Sequence, residues 1–230
     1  MKTKEDYLNG QLLLIDKPLG WTSFQAVNKL KWVLKKRYSL KKIKIGHAGT
    51  LDPLATGLLI ICAGKFTKRI HEFQGQEKEY MGTITLGGTT PSYDLETTVD
   101  QTFATDHITE TLVHETTKKF IGEIDQTPPM FSALKKDGKR LYEYAREGKK
   151  VELQTRKVTL TKFEITGIEF PQIMFRIVCS KGTYIRSIAH DFGKALGSGG
   201  YLSSLRRTKI GVYNVDNAID PTVFEEIVLK

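Results

Sequence analysis

The sequence predicts an α+β fold in which a mainly antiparallel, mixed sheet is flanked by helices. Three observations predict it. Apolar segments of strand length and helical stripes both recur, but without the regular βαβ rhythm of a parallel sheet. The chain has 230 residues and is 40% hydrophobic, which suffices for a large buried core. Charged residues make up 27% and no long polar tract interrupts the pattern, so an ordered chain is expected, read as a single domain over residues 1–230.

The elements follow in order. Residues 12–15 read as a short buried strand, broken by Asp16, Lys17, Pro18, Leu19 and Gly20. A helix comes next. Thr22 and Gln25 form a capping-box pattern, and Phe24, Val27, Leu30 and Leu34 share one face. Lys35, Lys36 and Arg37 suit the negative end of its dipole. Residues 46–53 are loop-like, 58–62 a buried strand, 66–73 a short helix, and 79–86 a strand ended by Gly87 and Gly88. Residues 108–120 are expected to be helical. Residues 128–148 open on Pro128 and Pro129 and read as a mobile insertion. It carries Lys135, Lys136, Lys139, Arg140 and Arg146, with a short helix at 141–147. Strands at 158–168 and 173–179 join at Pro171. A second clear helix spans 183–196, capped by Thr183. Its stripe is Ile185, Ile188, Ala189, Phe192 and Leu196, and Gly197 stops it. The last helix takes Asp220 as cap and Pro221 as first residue.

The formal charge of +9 favours polyanionic partners, through steering and counterion release, although a merely basic soluble protein carries the same number. Residues 31–44 hold seven Lys or Arg and no acid, and Arg206, Arg207 and Lys209 form a second group. Trp32, Tyr38, Tyr142 and Tyr144 are interleaved with basic residues, as phosphate contact with base stacking requires; a solvated helix face reads the same way. Cys62 and Cys179 lie in separate apolar runs, which predicts buried free thiols. The polar start is unlike a secretory signal, and the longest apolar run, 58–63, is too short to span a bilayer. A cytoplasmic protein that is not bound to membrane is therefore expected.

The stretch from Lys44 to Leu59 is the most unusual. Gly46, Gly49, Gly57 and Pro53 set a tight backbone course, leaving His47, Thr50 and Asp52 as polar side chains between apolar segments. Taken alone, Asp52 and Pro53 read as a turn initiator. Arg186 lies in the first turn of its helix, where an arginine opposes the dipole. It implies a partner anion, carboxylate or phosphate, or else an exposed arginine screened by water. No nucleophile elbow, phosphate-binding Walker loop, paired-cysteine motif or metal-spaced histidine pair occurs.

The run Gly46, His47, Ala48, Gly49, Thr50, Leu51, Asp52, Pro53, Leu54, Ala55, Thr56, Gly57 resembles the signature of the tRNA pseudouridine-55 synthase family, of the pseudouridine synthase B type. Other segments agree in order: residues 16–23 with the family's N-terminal motif, 78–80 with its tyrosine motif, 128–135 and 141–148 with its RNA-clasping thumb, 180–187 with its arginine motif, and 202–207 with its late leucine motif. RNA-guided synthases share the Gly-Thr-Leu-Asp-Pro core, but Leu54 to Gly57 and the thumb resemble the stand-alone tRNA enzymes more closely. Residues 90–96 depart from the usual Thr-Asp-Thr-x-Asp run, with Asp94 still aligned. A full C-terminal RNA-binding domain of the PUA type, frequent in the family, is not expected within these residues.

The resemblance implies a pseudouridine synthase fold and isomerisation of uridine 55 in the tRNA T loop, with the target base flipped out and no cofactor or metal. Asp52 is implied as the catalytic carboxylate and Arg186 as its ion partner. Tyr80 would stack on the base, His47 would contact the flipped nucleotide, and Leu205 would wall the pocket. Lys17 would touch RNA or pair with a local carboxylate. Without the motif, Tyr80 and Leu205 read as core residues and His47 as a loop histidine bonded to backbone. Lys135, Lys136, Lys139 and Arg140 in the thumb, with Arg206 and Arg207, are expected to contact RNA. The partner is the tRNA T stem-loop, with no obligate protein partner and a monomeric chain. Two rivals stay open: an RNA-guided synthase that needs partners, and a non-catalytic tRNA binder.

Overall fold

The 58–62 run is apolar at every position because its strand, Ala55–Ala63, is covered on both faces. Leu59, Ile61 and Ala63 meet Ile15, Leu30, Leu34, Phe224 and Val228 on one side. Leu58, Ile60 and Cys62 meet Phe73, Ile210 and Val215 on the other. This is seen in a computed structural model that describes residues 2–149 and 151–230. The chain divides into two compact units, Met1–Tyr80 with Leu205–Lys230, and Met81–Ser204.

In the first unit, Gln11–Lys17 runs antiparallel to Ala55–Ala63, from Gln11 opposite Ala63 to Lys17 opposite Gly57. Ile45–His47 also pairs antiparallel with Ala55–Ala63. Leu205 to Arg207, from the Gly200–Ile210 strand, pairs parallel with Ala55 to Gly57, which makes the sheet mixed. The Ser23–Tyr38 helix covers it, capped reciprocally by Thr22 and Gln25 as expected. Its buried face is Ala26, Val27, Leu30, Val33 and Leu34. Phe24 was expected on that face but points outward, because its angular position falls beyond the buried stripe. The closing helix, Pro221–Leu229, starts at the Asp220 cap, whose carboxylate accepts from the Thr222 N–H.

In the second unit, Arg156–Glu169 pairs antiparallel with Gln172–Cys179 and with Gly122–Gln126. Phe163 packs against Phe175, Phe192 and Phe120 with ring centroids 5.2 to 6.2 Å apart. The expected helix over 108–120 is Glu110–Thr117, capped by Thr109, followed by a 3-10 turn at Lys118–Phe120. The insertion contains a hairpin, Lys135–Lys136 with Lys139–Arg140, and the expected short helix, at Leu141–Arg146. The Ile185–Ala195 helix takes Tyr184, not Thr183, as its cap, because the Thr183 hydroxyl is turned back onto the Ser180 carbonyl.

Both pieces show the α+β architecture, with antiparallel pairing dominant. Among the described residues, the elements that escaped the sequence reading include the Lys4–Asn9 helix and the strands Ile45–His47, Gly122–Gln126 and Gly200–Ile210. Cys62 and Cys179 are buried and not joined in a disulfide, as expected. Among the described residues, no helix is long and apolar enough to cross a membrane, and no group of His, Cys, Asp or Glu is placed to hold a metal ion.

Candidate active site

Asp52 lies in the turn between the Ile45–His47 and Ala55–Ala63 strands, and its carbonyl accepts from the Ala55 N–H at 3.1 Å. Its side chain is half-buried between the buried Leu51 and the exposed Pro53. Several groups brace this turn. The Ser23 hydroxyl donates to the Leu51 carbonyl (3.1 Å) and accepts from the Leu51 N–H (2.8 Å). The Gly20 N–H donates to the Pro53 carbonyl at 2.8 Å. Arg207, fully buried, donates to the carbonyls of Leu58 (2.7 Å), Gly49 (3.1 Å) and Thr50 (3.5 Å). The strand pairing is so close here that a Cβ on Gly57, whose φ is +102°, would lie 2.3 Å from the Arg207 carbonyl oxygen.

Lys17 was expected to touch RNA or to pair with a local carboxylate. It is fully buried, its ammonium is received by the carbonyls of Pro18 (3.0 Å), Trp21 (2.5 Å) and Pro53 (3.5 Å), and it feels the Asp52 carboxylate, in keeping with the second alternative. Burial pushes its pKa down to about 8; the Asp52 carboxylate resists that shift and Arg207 adds to it. Arg207 was expected to contact RNA and cannot, because its guanidinium is enclosed. Arg206, one residue earlier and on the opposite face, stays partly exposed and forms a two-pronged pair with Asp16 at 2.6 and 3.0 Å.

His47 is half-buried at a strand end. Burial and the neighbouring Arg207 hold its pKa below the ordinary histidine value, against a small opposing pull from the Gly49 backbone, so the ring is neutral at pH 7. Its Nδ1 is buried without a hydrogen bond of regular geometry. Tyr80 is nearly covered, as a core aromatic would be, at the end of the first unit. Leu205 is half-buried, opposite Ala55 in the parallel pair.

Arg186 belongs to the second unit. It is buried there rather than screened by water, which favours the expectation of a partner anion. Its Nε lies 3.6 Å from an Asp94 carboxylate oxygen, and its other nitrogens donate to the carbonyls of Ser92 (3.1 Å) and Phe131 (2.9 Å). The start of its helix is pinned by Gln126, which the sequence reading missed. The Gln126 amide oxygen accepts from the Tyr184 N–H (2.7 Å) and its NH2 donates to the Tyr184 carbonyl (3.1 Å). The Ser187 hydroxyl donates to the Thr127 carbonyl at 2.8 Å. Only the buried, uncharged Gln126 side chain does the work of a cap, so no capping motif in the sequence marks it.

In the thumb-like segment, Lys135, Lys136 and Arg140 are exposed. Lys136 donates to the Glu152 carbonyl at 2.9 Å, and Lys139 pairs with Glu147 while lying over the Tyr144 ring. Arg140 and Arg146 flank the Tyr142 ring, with centroid distances of 5.9 and 5.3 Å. Part of the expected cationic surface is thus neutralised internally.

Residues 35–185 match the family model described as TruB family pseudouridylate synthase (N terminal domain), and residues 186–229 match the tRNA pseudouridylate synthase B C-terminal domain. A tRNA pseudouridine synthase B of Flavobacterium johnsoniae is 68% identical, covering 97% of this chain and 98% of that protein. A tRNA pseudouridine synthase B of Parabacteroides distasonis is 52% identical, covering 96% and 94%. Among solved structures, a chain of a Cbf5-Nop10-Gar1 complex matches with a TM-score of 0.70 at 30% identity. The match covers 95% of this chain but 54% of that one, so this chain spans about half its length. A chain of an H/ACA RNP bound to a substrate RNA containing 2′-deoxyuridine matches with a TM-score of 0.65 at 28% identity, covering 93% and 51%.

Proposed function

The chain belongs to the TruB family of pseudouridylate synthases, and from that premise we propose that it isomerises uridine 55 in the T loop of tRNA, with Asp52 as the catalytic carboxylate. The observation that carries the assignment is the bracing of the Asp52 turn. Lys17, Arg207, Ser23 and Gly20 all bond to backbone on either side of Asp52, while Asp52 itself stays partly exposed. Such a rigid turn presents one acid to a ligand at fixed geometry.

The reaction breaks the N1–C1′ bond, rotates the uracil and joins C5 to C1′; the C5 proton leaves and N1 gains one. It is an isomerisation without net redox change, so it requires no electron carrier. Asp52 acts by attack on a sugar carbon or a base carbon, or by abstracting a ribose proton. By the family resemblance, Tyr80, His47 and Arg186 are each assigned to the flipped nucleotide; Arg186 is held with Asp94 within its own unit. A neutral His47 offers a donor without adding charge. Leu205 contributes apolar wall. Lys17 and Arg207 act through the turn rather than on the substrate. The exposed cations Lys135, Lys136 and Arg140 suit a clasp on the phosphate backbone. The whole chain is proposed to work as one catalytic domain, as a monomer in the cytoplasm.

The test is pseudouridine formation in an unmodified T stem-loop by the purified chain, beside Asp52→Asn. Product is expected from the wild-type protein alone, with RNA binding retained in the variant. A guided synthase, the rival suggested by neighbours that are solved in complexes, would form no product without added guide RNA and proteins. Equal product from both forms would remove Asp52 from the chemistry.

A further inference from the structure

The Asp52 turn has an apolar rim that its own unit leaves uncovered. Leu19 is 64% exposed, Phe24 69% and Leu54 38%. Each adjoins one of the bonds that tie residues 18–24 to residues 51–54: Gly20 to Pro53, and Ser23 to Leu51. The two segments are therefore fixed side by side, with these side chains outward.

Phe24 also begins a strip. It stands in the first turn of the Ser23–Tyr38 helix, and Asn28, Trp32 and Lys36 follow on the same outer face at one-turn spacing. Trp32 is 48% exposed, with the Lys29 and Lys36 ammonium groups 5.2 and 4.8 Å from its ring centroid. Lys31 and Lys35 are exposed beside it. The opposite face of the helix supplies all of its core contacts, so the fold does not require large apolar residues here.

Single exposed apolar residues are ordinary. Three along the turn that carries Asp52, continuing into an aromatic flanked by cations, form a directed surface. Charge selects its occupant. Residues 31–44 carry seven cations and no acid, so the strip suits a polyanion with flat apolar faces, which describes unpaired RNA. A second copy of a chain with net charge +9 would meet like charge along the same strip.

We infer that this strip is a docking track for the unpaired loop nucleotides that adjoin the target uridine. Bases rest on Leu19, Phe24 and Trp32, and the phosphates between them face Lys31, Lys35 and Lys36. The inference rests on the proposed function and adds a surface that selects for loop nucleotides beyond the target itself.

The experiment uses the full chain and an unmodified T stem-loop carrying 2-aminopurine beside the target. Phe24→Ser and Trp32→Ser are each expected to raise Kd about tenfold, the range of one lost base–aromatic stack, and to weaken the quenching of the probe. Replacing Lys31, Lys35 and Lys36 by Gln is expected to flatten the slope of log Kd against log salt by about 2. All these side chains are exposed, and thermal melting checks that each variant folds. Unchanged Kd and slope, with product formation intact, overturn the track and leave the proposed function standing. A variant that dissociates a wild-type dimer in sedimentation while Kd holds assigns the strip to a second copy and also overturns it. Loss of binding in the variants, with no product from the wild-type protein on any RNA, supports the track and sinks the catalytic reading instead.

Discussion

Replacing Lys17 by Met separates the bracing of the Asp52 turn from the stability of the fold. Lys17 titrates near 8 instead of the ordinary 10.5, so holding its buried ammonium costs the folded state about 3 kcal/mol. Met removes that cost. It also strips the Pro18 and Trp21 carbonyls of their donor, at about 1–3 kcal/mol each. The two effects nearly cancel, and the melting temperature is expected to move by no more than about 6 °C. The turn loses its tie at Pro53, one residue from Asp52, and a shift of about 1 Å there lowers turnover about 100-fold. The pH dependence follows with a definite sign. Below about 8, folded and unfolded chains both carry the proton and the cost is constant. Between about 8 and 10.5 the unfolded chain binds the proton that the folded chain has released, so the Lys17 contribution to stability rises with pH. Single-turnover product formation should therefore fall above pH 8 while wild-type stability gains on the Lys17→Met variant. The assay is release of a C5 tritium label from the stem-loop between pH 6 and 9.5, beside melting curves. Wild-type turnover in Lys17→Met, with a flat wild-type profile to pH 9.5, would refute the reasoning.

Two further perturbations test the buried arginines. Arg207→Met should destabilise by about 3 kcal/mol or more, because it removes the guanidinium from the buried Leu58 carbonyl and the partly buried Gly49 carbonyl; an unchanged urea midpoint would show that the strand pairing suffices without it. Asp94→Asn removes the carboxylate from a buried pair and should cost about 3 kcal/mol, since two backbone carbonyls still receive the guanidinium; equal stability by denaturant titration would mean that the Arg186 charge is compensated elsewhere.

The parts of the fold legible in the sequence were those with a local physical signature. Thr22 with Gln25, and Asp220 with Pro221, mark helix starts by side-chain chemistry that acts within three residues. The apolar run at 58–62 marks a strand buried on both faces. The Gly122–Gln126 strand has Ile124 as its one large apolar residue, so no hydrophobic periodicity betrays it. Thr183 misled for a related reason. A threonine before an apolar stripe has the form of a cap, but its hydroxyl bonds to Ser180, and the helix start is held by Gln126, 58 residues away in sequence from Tyr184. The site divides the same way. Asp52 and Arg186 stand out by motif and by an unfavourable dipole position, whereas the support from Asp94 and Ser23 depends on contacts that no local pattern encodes.

Arg206 and Arg207 show what one missed strand does to a functional reading. As neighbours in a sequence rich in cations they form a basic patch, and a patch implies phosphate. In a strand, successive side chains leave on opposite faces, so a pair of arginines cannot both face solvent when one face is buried. The alternation across 200–210 is blurred by Ser203, Ser204 and Thr208, which lie among the apolar positions. The buried partner of the pair then has to satisfy a full guanidinium internally. It does so with the carbonyls that the tight course of Gly49 and Thr50 turns inward, so an apparent surface charge becomes the residue that fixes the turn carrying Asp52.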